Sequence, residues 1–175
     1  ETGLTRGEMR DGLLMVRHAA VDAGETAAQP CLWAGGGSAA FDRRRFLALG
    51  GFHHLYAPFY VEDVDLSYRA WRRGWTVLFA PRSHVYHHHR SSTGRFGHNY
   101  VERALAKNQR LFVWHNISDG AWTVRSLARL AGGVAAALGT GDEHTRLSLA
   151  WALRQLPQAL AARWQETYRR ERAGG

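Results

Sequence analysis

Residues 59–75 read F-Y-V-E-D-V-D-L-S-Y-R-A-W-R-R-G-W, and this stretch sets the local organisation of the chain. Its acidic residues stand at the start and its arginines near the end, a polarity that complements the dipole of an α-helix. Val64, Tyr68 and Trp71 fall at helical spacing on one face. The stretch therefore predicts a helix that opens near Glu62 and is closed by Gly74.

A glycine run precedes this helix. Cys31 to Phe41 reads C-L-W-A-G-G-G-S-A-A-F, an apolar start that continues into three glycines. Glycine inside a strand-like run marks the close approach of a ligand or of another backbone, and a flexible turn is the alternative interpretation. Asp42 has the character of an N-cap for a short helix over 43–49, which Gly50 and Gly51 would end.

The remainder of the chain changes character along its length. Short strands are predicted at 13–16 and 75–80, and helices at 99–115, 122–138 and 145–170. Pro157 should interrupt the last of these helices. Because the composition shifts after Asn116, residues 116–175 are interpreted as a helical extension.

Composition limits the classes of protein to consider. The 175 residues suffice for one domain with a core, and no run of about 18 apolar residues is present. The single cysteine, Cys31, excludes an internal disulfide and a multi-cysteine zinc site. The net charge of +8 comes almost entirely from arginine, since Lys107 is the only lysine. These arginines are spread along the chain rather than gathered in one stripe, which argues against a nucleic-acid partner.

Three carboxylates, Glu62, Asp63 and Asp65, stand within four positions at the start of the predicted helix. Their mutual repulsion is partly offset by the free N–H groups of a helix N-terminus. Such a site can hold one carboxylate ionised as a general base. An acidic helix start that only caps the helix is the alternative.

Three consecutive histidines, His87 to His89, follow about 25 residues later. Imidazole is a common metal ligand, so these residues are candidates for a metal site. The chain offers neither the cysteines nor the helical histidine spacing of a structural zinc motif. Solvated loop histidines are the alternative interpretation.

The order of the motifs is more specific than any of them alone. W-A-G-G-G-S-A-A-F-D-R-R-R-F-L-A-L-G-G-F (33–52), the stretch at 59–75, and A-P-R-S-H-V-Y-H (80–87) follow one another. This order resembles family 2 glycosyltransferases of the GT-A fold, and most closely their bacterial rhamnosyltransferase-like branch. The resemblance covers about residues 30–116 well and the tail loosely.

The resemblance implies an α/β fold: the C-terminal half of a GT-A nucleotide-diphospho-sugar transferase fold, with a mixed sheet, followed by a helical extension. Residues 1–115 would form the acceptor-side part of the glycosyltransferase domain, without its N-terminal nucleotide-binding half, and residues 116–175 the extension. That half carries the family's D-x-D metal motif. The isolated chain is therefore expected to bind nucleotide sugar weakly or not at all and to be inactive.

The resemblance also implies roles for the acidic residues and one histidine. Asp63 matches the catalytic base of an inverting transferase, and Glu62 is its neighbour in the same motif. Asp65 would brace the helix start or contact the acceptor. His87 matches the histidine that completes the site of a divalent metal, Mg²⁺ or Mn²⁺, which holds the diphosphate.

Donor and acceptor binding are assigned in the same way. Gly36, Gly37 and Ser38 would let the donor sugar or the acceptor approach the backbone. Arg95 would close over the diphosphate. Tyr60 is a candidate for stacking against a sugar, with core packing as the alternative.

The expected partners are a nucleotide sugar and a glycan or lipid-linked acceptor in cell-surface polysaccharide synthesis. The expected location is cytoplasmic, with peripheral contact at the inner face of the plasma membrane. Residues 146–172 are basic and amphipathic and include Trp151 and Trp164, so docking on an anionic membrane is a rival, non-catalytic interpretation. A helix that packs on its own domain is the alternative for this segment.

Overall fold

The computed structural model describes residues 3–22, 24–86, 93–139 and 141–173. Its strands are β1 (Leu4–Arg10), β2 (Leu13–Ala19), β3 (Gln29–Pro30) and β4 (Leu78–Phe79). Its helices are α1 (Arg43–Ala48), α2 (Glu62–Trp71), α3 (His98–Asn116), α4 (Gly120–Gly139), α5 (Glu143–Arg154) and α6 (Leu156–Ala173), with 3₁₀ turns at His54–Tyr56 and Thr93–Arg95. Within these residues, no helix combines the length and apolarity that crossing a bilayer requires.

The chain begins with a β-hairpin that the sequence analysis recognised only in part. β1 pairs antiparallel with β2 over their full length, where a short strand at 13–16 was expected. Asp11 and Gly12 join the strands with φ angles of 49° and 77°. Two left-handed residues in a two-residue connection suit the twist of a hairpin, and Asp-Gly is a frequent sequence for it. The second pair, β3 with β4, is also antiparallel, so the described strands do not form the mixed sheet that was predicted.

Residues 31–33, which lie outside the strands, connect the two strand pairs. The N–H of Leu32 donates to the Thr5 carbonyl, and the N–H of Cys31 donates to the Val77 carbonyl, both at 3.0 Å. The Thr5 hydroxyl donates to the Trp33 carbonyl at 2.7 Å. The segment therefore runs between β1 and the strand region that follows α2, and it delivers the glycine run to the start of α2.

The short helix α1 has the ends that its sequence predicted. Asp42 is its N-cap, and the Asp42 Oδ1 accepts the N–H of Arg45 at 2.9 Å. Gly50 and Gly51 follow the helix with φ angles of 80° and 68°. Both the cap and the glycine stop are confirmed.

The long helix α3 carries the centre of the core. α5 and α6 pack on it, and the break between them falls at Gln155, two residues before the predicted position at Pro157. One buried cluster joins β2, the 3₁₀ turn at His54–Tyr56, α2, α3, α5 and α6: Leu13, Trp33, Leu55, Tyr56, Val64, Leu111, Phe112, Val113, Trp114, Ile117, Ala152 and Ala159. The helical extension therefore shares a core with the residues before it, and the predicted boundary at 115/116 stays a prediction.

A buried ion pair within α2 ties the surrounding elements together. Asp65 and Arg69 are 0% and 3% exposed, and the Arg69 Nε and Nη2 both lie 2.8 Å from the Asp65 Oδ2. The guanidinium also donates to the carbonyl oxygens of Leu49 and Gly51, at the end of α1. Residues four positions apart are neighbours on the surface of a helix, so their side chains can form an ion pair of this kind.

The other Asp65 oxygen receives donors from two further elements. Tyr56 Oη and Asn116 Nδ2 donate to Asp65 Oδ1 at 2.8 and 2.7 Å, and His115 Nδ1 lies 3.1 Å from it. Burial would raise the pKa of Asp65, but the His115 hydrogen bond, the Arg69 charge and the Asn116 amide outweigh it and lower the pKa to about 2. These five residues are referred to below as the Asp65 cluster.

Breaking this pair should weaken the whole fold. Asp65→Asn leaves the Arg69 guanidinium buried without its counter-charge, so we expect the free energy of unfolding in urea to fall by about 3–5 kcal/mol. Asp11→Asn is the matched control, because Asp11 is exposed in a left-handed turn that asparagine also favours, and it should change stability by less than about 0.5 kcal/mol. Equal stabilities of the two variants would contradict the central role of the cluster.

His53 borders the Asp65 cluster and is held neutral. Its Nδ1 accepts the N–H of Leu55 at 3.1 Å, which caps the 3₁₀ turn, and its ring centroid lies 5.0 Å from that of His115. Burial lowers the pKa of His53 to about 4, and the charges of His115, Arg69 and His54 act in the same direction against that of Asp65. Protonation would also remove the acceptor of the Leu55 N–H.

Stability should therefore fall as the pH is lowered from about 6.5 to about 4. In that window His53 is protonated in the unfolded chain, where its pKa is about 6.5, but stays neutral in the folded chain. His53→Asn keeps a capping acceptor but cannot titrate, so its unfolding free energy should decline less between pH 7 and pH 4.5. His98→Asn, at an exposed histidine, should decline as the wild type does. Parallel declines in all three proteins would overturn the assignment to His53.

Candidate active site

The acidic motif opens α2, directly after two residues with unusual backbone. Tyr60 and Val61 have φ angles of 72° and 76°, and Val61, the N-cap residue, makes no side-chain capping bond. A left-handed conformation is strained for any residue with a Cβ and most of all for a β-branched one. The turn into Glu62 and Asp63 therefore has to be held by its surroundings.

Two adjacent residues of α3 hold that turn. The Asn108 Nδ2 lies 2.7, 2.9 and 2.9 Å from the carbonyl oxygens of Tyr56, Phe59 and Tyr60, respectively. Lys107 Nζ donates to the Ala57 carbonyl at 2.8 Å. An amide whose two hydrogens face three carbonyl oxygens fixes the path of the backbone, because each of those contacts depends on the position of its carbonyl.

Lys107 is wholly buried together with Asn108. Its ammonium lies 4.5 Å from the centroid of the Trp151 ring, a cation–π distance. Burial lowers the pKa of Lys107 to about 8. The two residues thus connect the turn before α2 to α5 as well as to α3.

One ridge of α2 binds the backbone of residues 31–36. Asp63, Ser67 and Trp71 succeed one another at i, i+4 spacing, so their side chains lie along one line on the helix. The bonds are Gly36 N to Asp63 Oδ2 (3.1 Å), Ala34 N to Ser67 Oγ (3.1 Å), and Trp71 Nε1 to the carbonyl oxygens of Cys31 (3.1 Å) and Leu32 (3.2 Å). Residues 31–36 therefore run antiparallel to α2, and the glycine run lies against Asp63.

The Asp63 carboxylate is fixed but not enclosed. Its Oδ1 accepts the N–H of Val64 at 2.8 Å, and its Oδ2 accepts the N–H of Gly36. The residue is only partly buried. A carboxylate has about four lone-pair positions, so an ionised group with two of them occupied can still accept a proton from a bound hydroxyl.

The glycine run borders this carboxylate with exposed backbone. Gly36, Gly37 and Ser38 are all exposed, and the Ser38 N–H closes a turn on the Gly35 carbonyl at 3.0 Å. A Cβ added to Gly36 would lie 3.9 Å from the Asp63 Cβ. The predicted approach of a ligand to this backbone is sterically open on the exposed side.

The two other predicted acids differ from Asp63. Burial raises the pKa of Glu62; a backbone hydrogen bond lowers it, and the Asp63 charge raises it further. Its Oε2 is buried and makes no hydrogen bond within the residues that the structure describes. Asp65 is fully enclosed by its cluster, which favours the bracing role over contact with an acceptor.

The remaining predicted site residues differ in what the structure shows of them. Tyr60 is exposed three positions before Asp63, and its ring meets Phe59 edge-on at 5.1 Å. Arg95 is exposed in the 3₁₀ turn before α3. His87, the predicted metal ligand, lies outside the described residues. Within those residues, no three histidine, cysteine, aspartate or glutamate side chains gather in a way that could hold a metal ion.

Several residues that position the site were not predicted from the sequence. Ser67 and Trp71 follow Asp63 at helical intervals, and this spacing was the available signal for a shared ridge. No local pattern marks Asn108, because its carbonyl partners lie 48 to 52 residues away in the sequence.

Parts of the chain are similar to parts of known glycosyltransferases. Over 71 residues it is 38% identical to the N-acetylglucosaminyl-diphospho-decaprenol L-rhamnosyltransferase of Mycobacterium tuberculosis, in two strains. Over 58 residues it is 40% identical to polypeptide N-acetylgalactosaminyltransferase 3 of Drosophila melanogaster. The matches cover 41% and 33% of this chain and 23% and 9% of those proteins, so the chain matches less than a quarter of either relative's length.

These similarities confirm the resemblance to glycosyltransferases at that general level. No protein-family model matches the chain, and no solved structure matches it.

Removing the Asn108 donor should release the turn before α2. Asn108→Asp has the same shape but places an acceptor against three carbonyl oxygens, so we expect a loss of about 2–4 kcal/mol in the free energy of unfolding. Asn99→Asp, at an exposed site in the first turn of the same helix, is the control and should be neutral or slightly stabilising. The measurement is the free energy of unfolding in urea for both variants. An unchanged value for Asn108→Asp would contradict the role of Asn108 in holding the turn before α2.

Proposed function

We propose that the chain forms the acceptor side of an inverting family 2 glycosyltransferase with a GT-A fold, and that Asp63 is its general base. The observation that carries the proposal is the Asp63 carboxylate itself: fixed by two backbone N–H groups, partly exposed, and bordered by the exposed backbone of residues 36–38. The similarity to two glycosyltransferases supports sugar transfer as the reaction class.

The proposed step is a single displacement. Asp63 accepts the proton of an acceptor hydroxyl while that oxygen forms a bond to the anomeric carbon of the donor sugar. The bond from this carbon to the diphosphate oxygen breaks, and the nucleoside diphosphate leaves with the bonding electrons. The anomeric configuration inverts, and the proton on Asp63 passes to solvent.

In this proposal Asp65 acts indirectly, by holding α2 in position. Its cluster fixes α2 against the end of α1 and the end of α3, so the first turn of α2 has a rigid base. A general base has to be held within a fraction of an ångström of its productive position, which a helix anchored by a buried ion pair provides.

The donor is proposed to be a nucleotide-diphosphate sugar, with hexosyl or rhamnosyl transfer. The divalent metal expected from the resemblance does not fit the described residues alone, since they contain no cluster of three ligands. The displacement is therefore proposed here in terms of the protein's own residues. In the family that the chain resembles, donor binding depends on a nucleotide-binding half, so we expect transfer to require that part.

The acceptor is proposed to be a glycan or a lipid-linked sugar. One relative is named for a substrate with a sugar joined through diphosphate to decaprenol. Near Asp63, Tyr60 presents an exposed ring, and the stacked pair Phe96 and Tyr100 continues the aromatic surface through Phe59. Aromatic rings offer flat apolar faces against which the C–H groups of a pyranose pack.

The decisive test is Asp63→Asn, assayed in the natural polypeptide that carries these residues. Asparagine keeps an acceptor for one backbone N–H but cannot take a proton, so we expect kcat to fall about 10²–10⁴-fold with little change in the donor KM. The measurement is transfer of radiolabelled sugar from a panel of nucleotide sugars to a lipid-linked acceptor.

Asp142→Asn provides the matched control. Asp142 caps α5, where asparagine caps as well, and its variant should retain wild-type kcat. Urea unfolding of both variants separates lost chemistry from lost folding. A folded Asp63→Asn variant with near-wild-type kcat would assign the base to another residue, and no transfer by the wild type from any donor would refute the proposed function.

A further inference from the structure

The last helix, α6, has two different faces. Its inner face carries small residues: Ala159 and Ala162 are buried, and the helix packs on α3. Its one described ion pair, between Glu166 and Arg73 at 3.3 Å, joins α6 to the end of α2. The inner face therefore accounts for the docking of α6 on the rest of the fold.

The opposite face presents three large side chains to the outside. Leu160, Trp164 and Tyr168 are 49%, 69% and 45% exposed, and they follow one another at i, i+4 and i+8. The Trp164 and Tyr168 rings stack with centroids 5.8 Å apart and planes 13° from parallel. Side chains at this spacing form one continuous line along a helix, here called the α6 ridge.

The ridge is too small for a stable protein interface. It spans about 12 Å at 1.5 Å per residue, and its exposed area is on the order of 350 Å². A specific interface of standard size buries about 800 Å² on each partner. A second copy of the chain or a protein partner that used this ridge would need further surface around it.

The chemistry of the ridge and its surroundings suits a lipid surface instead. Tryptophan and tyrosine combine an apolar ring with a polar N–H or O–H, so they concentrate at the boundary between headgroups and acyl chains. The sequence of α6 holds four arginines and two glutamates, and the whole chain carries a net charge of +8. Arginine side chains lower the free energy of a protein near anionic headgroups.

We propose that the α6 ridge inserts into the headgroup region of an anionic membrane while the inner face of α6 stays on α3. α6 would then lie in the plane of the membrane surface, as amphipathic interfacial helices do. This inference is independent of the proposed sugar transfer, and with a lipid-linked acceptor it would place the reaction at the surface that holds the substrate.

The test is co-sedimentation of the full chain with vesicles of phosphatidylcholine containing about a third phosphatidylglycerol. We expect the wild type to bind, and the double variant Trp164→Ala, Tyr168→Ala to bind at least about tenfold more weakly. Since both side chains lie on the outer face of α6, outside the buried cluster, the variant should keep a urea midpoint close to that of the wild type. Pure phosphatidylcholine vesicles should bind the wild type several-fold more weakly, because the electrostatic attraction is absent.

Leu138→Ala is the matched control. Leu138 is 82% exposed on α4, outside the ridge, and its variant should bind within about twofold of the wild type. Equal losses in both variants would mean non-specific apolar adhesion and would overturn the proposal. So would the absence of wild-type binding, unchanged binding of the double variant, or a wild-type dimer that the double variant abolishes. None of these readouts depends on transferase activity, so the two proposals fail separately.

Discussion

The burial of one ion pair, Asp65 with Arg69, is the constraint on which the rest of the structure depends. Two charges taken out of water are tolerated only when their remaining hydrogen-bonding positions are filled. Here the partners come from the end of α1, from the 3₁₀ turn at His54–Tyr56 and from the end of α3. Satisfying the pair therefore brings three separate parts of the chain onto α2, and the fold around the candidate site is assembled by that requirement.

Two aspartates of one motif consequently have opposite environments. Asp65 lies on the buried face of α2, where donors surround its carboxylate, whereas Asp63 lies nearly on the opposite side of the helix, where backbone N–H groups occupy only part of its carboxylate. A rotation of about 200° along the helix separates the two side chains. The short E-D-x-D sequence thus supplies both the anchor, Asp65, and the proposed base, Asp63.

Local signals in the sequence were enough to predict the helices, whereas the role of Asp63 as the base stays a prediction. Asp42 with Gly50 set the limits of α1, and the charge polarity around Asp63 indicated α2. The β1–β2 hairpin was missed although Asp11 and Gly12 marked its turn. The enclosure of Asp65 could not be predicted, because its partners are as far as 51 residues away and only the tertiary fold brings them together. Likewise, spacing alone could not decide which side of α6 would face outwards.

The burial of Lys107 has a consequence for the chemistry of the whole surface. It is the only lysine in the sequence, and its ammonium group is enclosed between the Ala57 carbonyl and the Trp151 ring. The folded surface therefore presents guanidinium groups and no lysine side-chain amine. Amine-selective reagents, and enzymes that modify lysine, find no lysine side chain to react with until the region around α3 opens. The extent of reaction at Lys107 would thus report the fraction of molecules in which this region is open. Because the surface cations are guanidinium groups, the positive surface charge would persist to strongly alkaline pH.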